Sequence, residues 1–151
     1  MEESSKFPPP QYSSLRVSTD RNSLIRVLEW FDCLESDIVP QLVWLQFKTA
    51  LAEGFMNAVL HAHGDRKDAP EIEIEFEQTP TYLKLRIIDC GSPFDLDDKL
   101  TTLHEADDLH ATSGRGLKLM QCIADRLTYE RLDSDRNCLS ILKYYEREPL
   151  V

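Results

Sequence analysis

At 151 residues, 42% apolar and 29% charged, the chain can bury one core and is not a disordered tail. Its longest apolar run, Leu42–Leu45, is far short of the roughly 20 residues a membrane-spanning helix needs. Seventeen basic against 27 acidic residues give a net charge of −10, which disfavours adhesion to nucleic acid or anionic lipid and tolerates Mg2+ and basic proteins.

Residues 1–14 begin acidic, carry Pro8-Pro9-Pro10 and two serine pairs, and read as a flexible lead-in rather than a signal peptide, so a cytoplasmic protein is expected. Leu15–Val17 predicts a short edge strand. Ser18, Thr19, Asp20 and Asn22 offer caps for a helix from about Ser23 to Leu34, with Leu24, Val27, Leu28 and Phe31 at helical spacing. Pro40 suits the first turn of a longer helix that runs to His61 or Ala62 and stops at a His63-Gly64-Asp65 turn. The period then changes. Ile72, Ile74 and Phe76 alternate with Glu71, Glu73, Glu75 and Glu77, and Leu83, Leu85 and Ile87 alternate with Lys84 and Arg86. This predicts a hairpin around Thr79-Pro80-Thr81 with glutamates facing basic residues across it. Residues 90–113 read as one long loop, a lid candidate, followed by a helix over Gly114–Arg126 and strands over Leu127–Leu132 and Cys138–Tyr145. Short turns make the strands antiparallel, and three amphipathic helices need one common face, so the order predicts a two-layer α/β sandwich.

The four cysteines (Cys33, Cys90, Cys122, Cys138) are scattered and read as structural thiols. The four histidines form no metal-ligand spacing.

Three constellations can carry chemistry. On the long helix, Glu53, Asn57 and His61 fall four apart; such residues differ by about 40° in direction and about 6 Å in height, which makes one polar stripe. A carboxylate beside an amide oxygen suits Mg2+ that keeps its waters and binds substrate oxygens, or leaves the carboxylate as a general base. The same stripe also fits an ordinary solvated face. Asp89 ends an apolar strand, where its carboxylate can accept a hydrogen bond from an exocyclic amine while Gly91 lets a flat ring approach; a plain turn has the same composition. Ser113-Gly114-Arg115-Gly116-Leu117 opens a helix after the loop and exposes backbone amides at its positive end. That run is neither a Walker A loop nor a dinucleotide fingerprint, and it also fits a simple loop-to-helix junction.

In this order, Glu-x3-Asn on a helix, Asp-x-Gly at a strand end, a long loop and Gly-x-Gly at a helix start resemble the N, G1 and G2 boxes of the GHKL superfamily of ATPases and kinases. The Glu53–His63 helix, the Asp89–Leu96 strand end and the Ser113–Glu130 run are most similar to the anti-sigma-factor serine/threonine kinases of bacterial partner switching. The likeness spans about Leu15 to Tyr145. No dimerisation helix with a phosphoacceptor histidine precedes it, so a complete sensor histidine kinase is not expected.

The resemblance implies an α+β fold of the GHKL (Bergerat) type, a mainly antiparallel mixed sheet with helices on one face, formed by residues 15–147 as an ATP-binding kinase domain with a tail at 148–151. It implies ATP and Mg2+ as cofactors, with Asn57 on the metal and Glu53 as the base for an incoming serine or threonine hydroxyl. Asp89 would hold the adenine amine, with Gly91 against the ring. Ser113, Gly114, Arg115, Gly116 and Leu117 would surround the phosphates, and His61 would lie at the edge of the site. The implied partners are an anti-anti-sigma (STAS) substrate and a sigma factor, with a possible homodimer formed through Leu15, Val17 and the first helix. Two alternatives remain: a nucleotide-dependent binding switch without phosphotransfer, and the catalytic piece of a split histidine kinase. This chain departs from the family pattern at Ser92-Pro93, where a second glycine is common. It departs again at Asn137-Cys138, where Gly-Thr is common and Ser140 is a neighbouring hydroxyl. Finally, Asp95, Asp97, Asp98, Glu105, Asp107 and Asp108 against Lys99 make the loop acidic, which suits either plain solvation or a basic partner surface.

Overall fold

A computed structural model describes residues 10–62, 69–91 and 115–146, apart from the side chains at 61, 62 and 115. The expected 63–65 turn, most of the 90–113 loop with its acidic residues, Ser113, Gly114 and the 148–151 tail lie outside the described residues. Strand β1 (Gln11–Val17) leads into α1 (Ser23–Asp32) and α2 (Gln41–Asn57), which continues as a π-helical turn at Ala58–Ala62. Then come β2 (Ile72–Gln78), β3 (Tyr82–Asp89), α3 (Arg115–Ile123), β4 (Arg126–Arg131) and β5 (Asn137–Tyr144). The strands form one sheet in the order β1-β2-β3-β5-β4. Every described pairing is antiparallel, as the short turns predict, where the resemblance implied a mainly antiparallel mixed sheet.

The alternation that predicts β2 and β3 sets their two faces. Ile72, Ile74, Phe76, Leu83, Leu85 and Ile87 are buried beneath the helices, whereas Glu73, Glu75 and Glu77 lie on the other face. Register places Glu75 opposite Arg86, and the two form an ion pair at 2.7 Å. Glu77 stands opposite Lys84 but accepts its hydrogen bond from the Tyr82 hydroxyl, at 2.9 Å. In the connecting turn, Thr79 Oγ1 accepts from the backbone N–H groups of Thr81 and Tyr82 at 3.2 and 3.1 Å.

Two boundaries and one helix cap differ from expectation for identifiable reasons. Strand β1 starts four residues before Leu15, inside the expected lead-in, because its inward positions there are polar; Ser13 Oγ accepts from Trp30 Nε1 at 3.0 Å and is held to α1. Helix α1 has no side-chain cap from Asn22; instead Asp20 Oδ1 accepts the Asn22 N–H at 2.9 Å, an Asx turn just ahead of the helix. Helix α3 ends at Ile123 rather than near Arg126, since the Asp125 N–H already donates to Leu142 O at 2.8 Å and starts the β4–β5 ladder.

The core lies between the helices and the sheet. Phe31 of α1 stacks on Trp44 of α2 with ring centroids 4.2 Å apart, and Phe76 of β2 meets both edge-on at 5.5 and 5.7 Å. The four cysteines form no disulfide among the described residues. No helix among the described residues is long and apolar enough to cross a membrane.

Candidate functional site

Helix α2 ties the site together because one of its residues has no side chain. A Cβ at Gly54 would collide with the tip of Ile87 on β3 and lie 3.5 Å from Leu139 of β5 and 3.6 Å from Met120 of α3. The glycine therefore lets α2 lie down on the middle of the sheet and against α3 at one point. Its neighbour Glu53 consequently reaches the start of α3. A Cβ at Gly116 would meet Glu53 Oε2 at 2.7 Å and Glu53 Cβ at 3.3 Å, so only glycine lets that carboxylate rest on the first turn of α3. A carboxylate there is favoured by the unpaired N–H groups at a helix N-terminus.

Asn57, one turn beyond Glu53, is half-buried and is the last residue of the α-helical ladder. The Ala58 N–H is shared between Gly54 O and Phe55 O, and the following residues bond with π-helical spacing. The four-residue stripe therefore holds for Glu53 and Asn57 and ends there. His61 lies in the π-helical turn, where four-residue spacing no longer assigns it a face. Such single π turns are frequent at functional sites.

The second group closes the end of the sheet. Asp89 ends β3 on the helix-facing side and is buried, 5% exposed. Its Oδ1 accepts the Gly91 N–H at 2.9 Å and Asn137 Nδ2 at 3.0 Å. Asn137, fully buried at the start of β5, stands in register with Asp89 and also donates to Gly91 O at 2.8 Å. Its Oδ1 accepts from Arg131 Nη1 of β4 at 2.9 Å. Tyr129, two residues before Arg131, has its phenol pKa raised, chiefly by burial and then by the Asp89 charge, so it stays neutral there. Asp89, Gly91, Asn137 and Arg131 thus form one polar row where the apolar rows of the sheet stop.

Sequence reasoning missed Asn137 as a member of the site. Its signal was available: an amide at the start of a strand, one hairpin away from a strand that ends in Asp. Ser140, the neighbouring hydroxyl, cannot stand in for the missing threonine, because its register partners Arg86 and Thr128 and its shallow groove of about 250 Å3 lie on the open face of the sheet. Gly116 and Leu117 lie buried at the start of α3, as the predicted loop-to-helix junction requires; Arg115 begins that helix. Glu53, Gly116 and Leu117 come together through α2 and α3, and Asp89, Gly91 and Asn137 through β3 and β5, with Gly54 and Ile87 between the two groups. No cluster of three or more His, Cys, Asp or Glu suited to a metal occurs among the described residues. Glu53 and Asn57 carry oxygen donors of the kind that Mg2+ takes in small number, and the described residues offer no cage for a transition metal.

Residues 17–143 match the histidine kinase-like ATPase domain family. A serine-protein kinase RsbW of Bacillus licheniformis is 31% identical over 107 residues, which cover 67% of this chain and 65% of the relative. The match thus spans somewhat less than two thirds of that relative's length.

Proposed function

The chain belongs to the histidine kinase-like ATPase domain family, and on that premise we propose that it is a Mg-ATP-dependent protein serine/threonine kinase of the GHKL (Bergerat) type that acts as an anti-sigma factor. Its substrate would be an anti-anti-sigma (STAS) protein, and a sigma factor would be the partner it sequesters. The supporting relative is itself a serine-protein kinase. The observation that carries the reading is the Glu53 carboxylate resting on Gly116, which puts a potential base beside the one helix start that the family uses for phosphate.

In this reading Asp89 accepts from the adenine amine, and Gly91 offers its face to the ring. Ser113, Gly114, Arg115, Gly116 and Leu117 would surround the phosphates, with backbone amides at the start of α3 as donors, and His61 would stand at the edge of the site. Asn57 would hold Mg2+, which when bound neutralises phosphate charge. Glu53 takes the proton of the incoming hydroxyl. The remaining work of phosphoryl transfer is positioning and charge stabilisation, which need few protein groups.

The test uses radiolabelled ATP, Mg2+ and an anti-anti-sigma protein as acceptor. Native protein should leave acid-stable phosphate on serine or threonine. Glu53→Gln should lower transfer by at least about 100-fold, the worth of a positioned base, with ATP affinity within about twofold. Undiminished transfer in Glu53→Gln would remove the base assignment. Acid-labile label would point to histidine instead. Native ATP binding without any transfer would favour the binding switch.

A further inference from the structure

The buried amide of Asn137 has a fixed orientation, and that orientation has a chemical consequence. Arg131 carries only donors, so the amide atom it contacts at 2.9 Å must be the oxygen. The NH2 group then points at two acceptors, Asp89 Oδ1 at 3.0 Å and Gly91 O at 2.8 Å. A flipped amide would set its oxygen against both acceptors and its NH2 against a guanidinium, so no alternative assignment satisfies the network. Arg131 is itself exposed and also donates from Nη2 to the backbone oxygen of Ser134 in the β4–β5 turn. A chain of charge-assisted bonds therefore runs from the surface turn to a carboxylate that is 5% exposed.

With the Gly91 N–H and the Asn137 NH2 both spent on Oδ1, Asp89 Oδ2 has no protein donor among the described residues. Both N–H bonds of Asn137 are used, so its amide has no donor left for a ligand. We propose that Asn137, locked by Arg131, is a positioning residue that makes Asp89 an acceptor-only recognition group and so selects 6-amino over 6-oxo purine nucleotides. The proposal rests on the nucleotide-binding reading of the site and goes beyond it by naming what sets base selectivity. A 6-amino purine offers an N–H to Oδ2. At position 6 a 6-oxo purine offers lone pairs instead, and its N–H lies at N1, displaced from a carboxylate held in place for a 6-amino group; buried polar groups left unpaired in this way discriminate strongly.

The test compares affinities for ATP and inosine triphosphate, which differ in the 6-amino and 6-oxo groups, in native protein, Asn137→Ala, Asn137→Thr and Arg131→Met. A ratio of affinities does not depend on the fraction of protein folded, so a purely structural loss leaves it unchanged. Native protein should prefer ATP by about 100-fold or more. Asn137→Ala should lose about tenfold of that preference, the worth of one hydrogen bond to a charged group. Asn137→Thr, whose hydroxyl can donate to Asp89, should recover most of it. Arg131→Met alters only an exposed residue and should lose about threefold, because the amide oxygen loses its charged donor and the amide then holds Asp89 less firmly. Native preference retained in both Asn137→Ala and Arg131→Met would overturn this inference and leave nucleotide binding standing. Equal native binding of the two nucleotides would overturn the selectivity alone. Native binding of neither would overturn the functional reading and this inference with it.

Discussion

One helix crosses two environments. The first half of α2 places Trp44 against Phe31 and Phe76, a dry aromatic cluster in which every ring is buried. About 14–20 Å further along, at 1.5 Å per residue, the same helix carries Glu53 and Asn57, with Gly54 packed on Ile87, two residues before the buried Asp89 at the end of β3. The aromatic end is held by shape and apolar contact, which many sequences could supply. The polar end is held by a few directed bonds and two glycines, each tolerating little change. Burying Asp89 and Asn137 is costly unless every bond is made, and a fold that needed only stability would fill that end with hydrocarbon. The contrast separates what keeps the domain folded from what it is built to bind.

The comparison can be broken from either side. Trp44→Ala should cost about 3–5 kcal/mol in urea denaturation, while the folded fraction keeps its nucleotide affinity. A parallel loss of affinity would show that the two ends are not independent. Gly54→Ala adds a methyl where Ile87, Leu139 and Met120 already meet, and should cost about 1–3 kcal/mol by lifting α2 from the sheet. Because it sits between the two ends, this substitution should also weaken nucleotide binding. Gly116→Ala should change stability by less than about 1 kcal/mol, since a Glu53 carboxylate oxygen can move aside. Displacing that carboxylate should nevertheless lower phosphotransfer by about tenfold to a hundredfold. The smallest effect belongs to the open face, where Glu75→Gln breaks the partly buried pair with Arg86 and should cost about 1 kcal/mol, less at high salt, with activity unchanged.

Much of the fold was legible in the sequence because burial leaves a periodic trace. Ile72, Ile74 and Phe76 against the glutamates, and Leu83, Leu85 and Ile87 against Lys84 and Arg86, fixed the hairpin, its faces and its ion pair before any coordinates. The first residues of β1 left no such trace, because Ser13 is held by a hydrogen bond to Trp30 rather than by apolar contact. The π-helical turn was equally hidden: Ala58–Ala62 continues the composition of an α-helix, and only the bonding pattern changes. Of the candidate site residues, Glu53, Asn57, Asp89, Gly91 and Gly116 were singled out from residue type and spacing. Asn137 was noticed only as a departure from a pattern, since its partners come from register between β3 and β5, and spacing along the chain does not encode register.

The central claim is that the polar end of α2 and the end of β3 form a Mg-ATP site. Its most direct test is calorimetric titration of ATP with and without Mg2+, on native protein and on Asn57→Ala. The account predicts that Mg2+ tightens binding to the native protein, and that Asn57→Ala still binds ATP but loses the Mg2+ effect. Failure of the native protein to bind ATP, or an undiminished Mg2+ effect in Asn57→Ala, would contradict it.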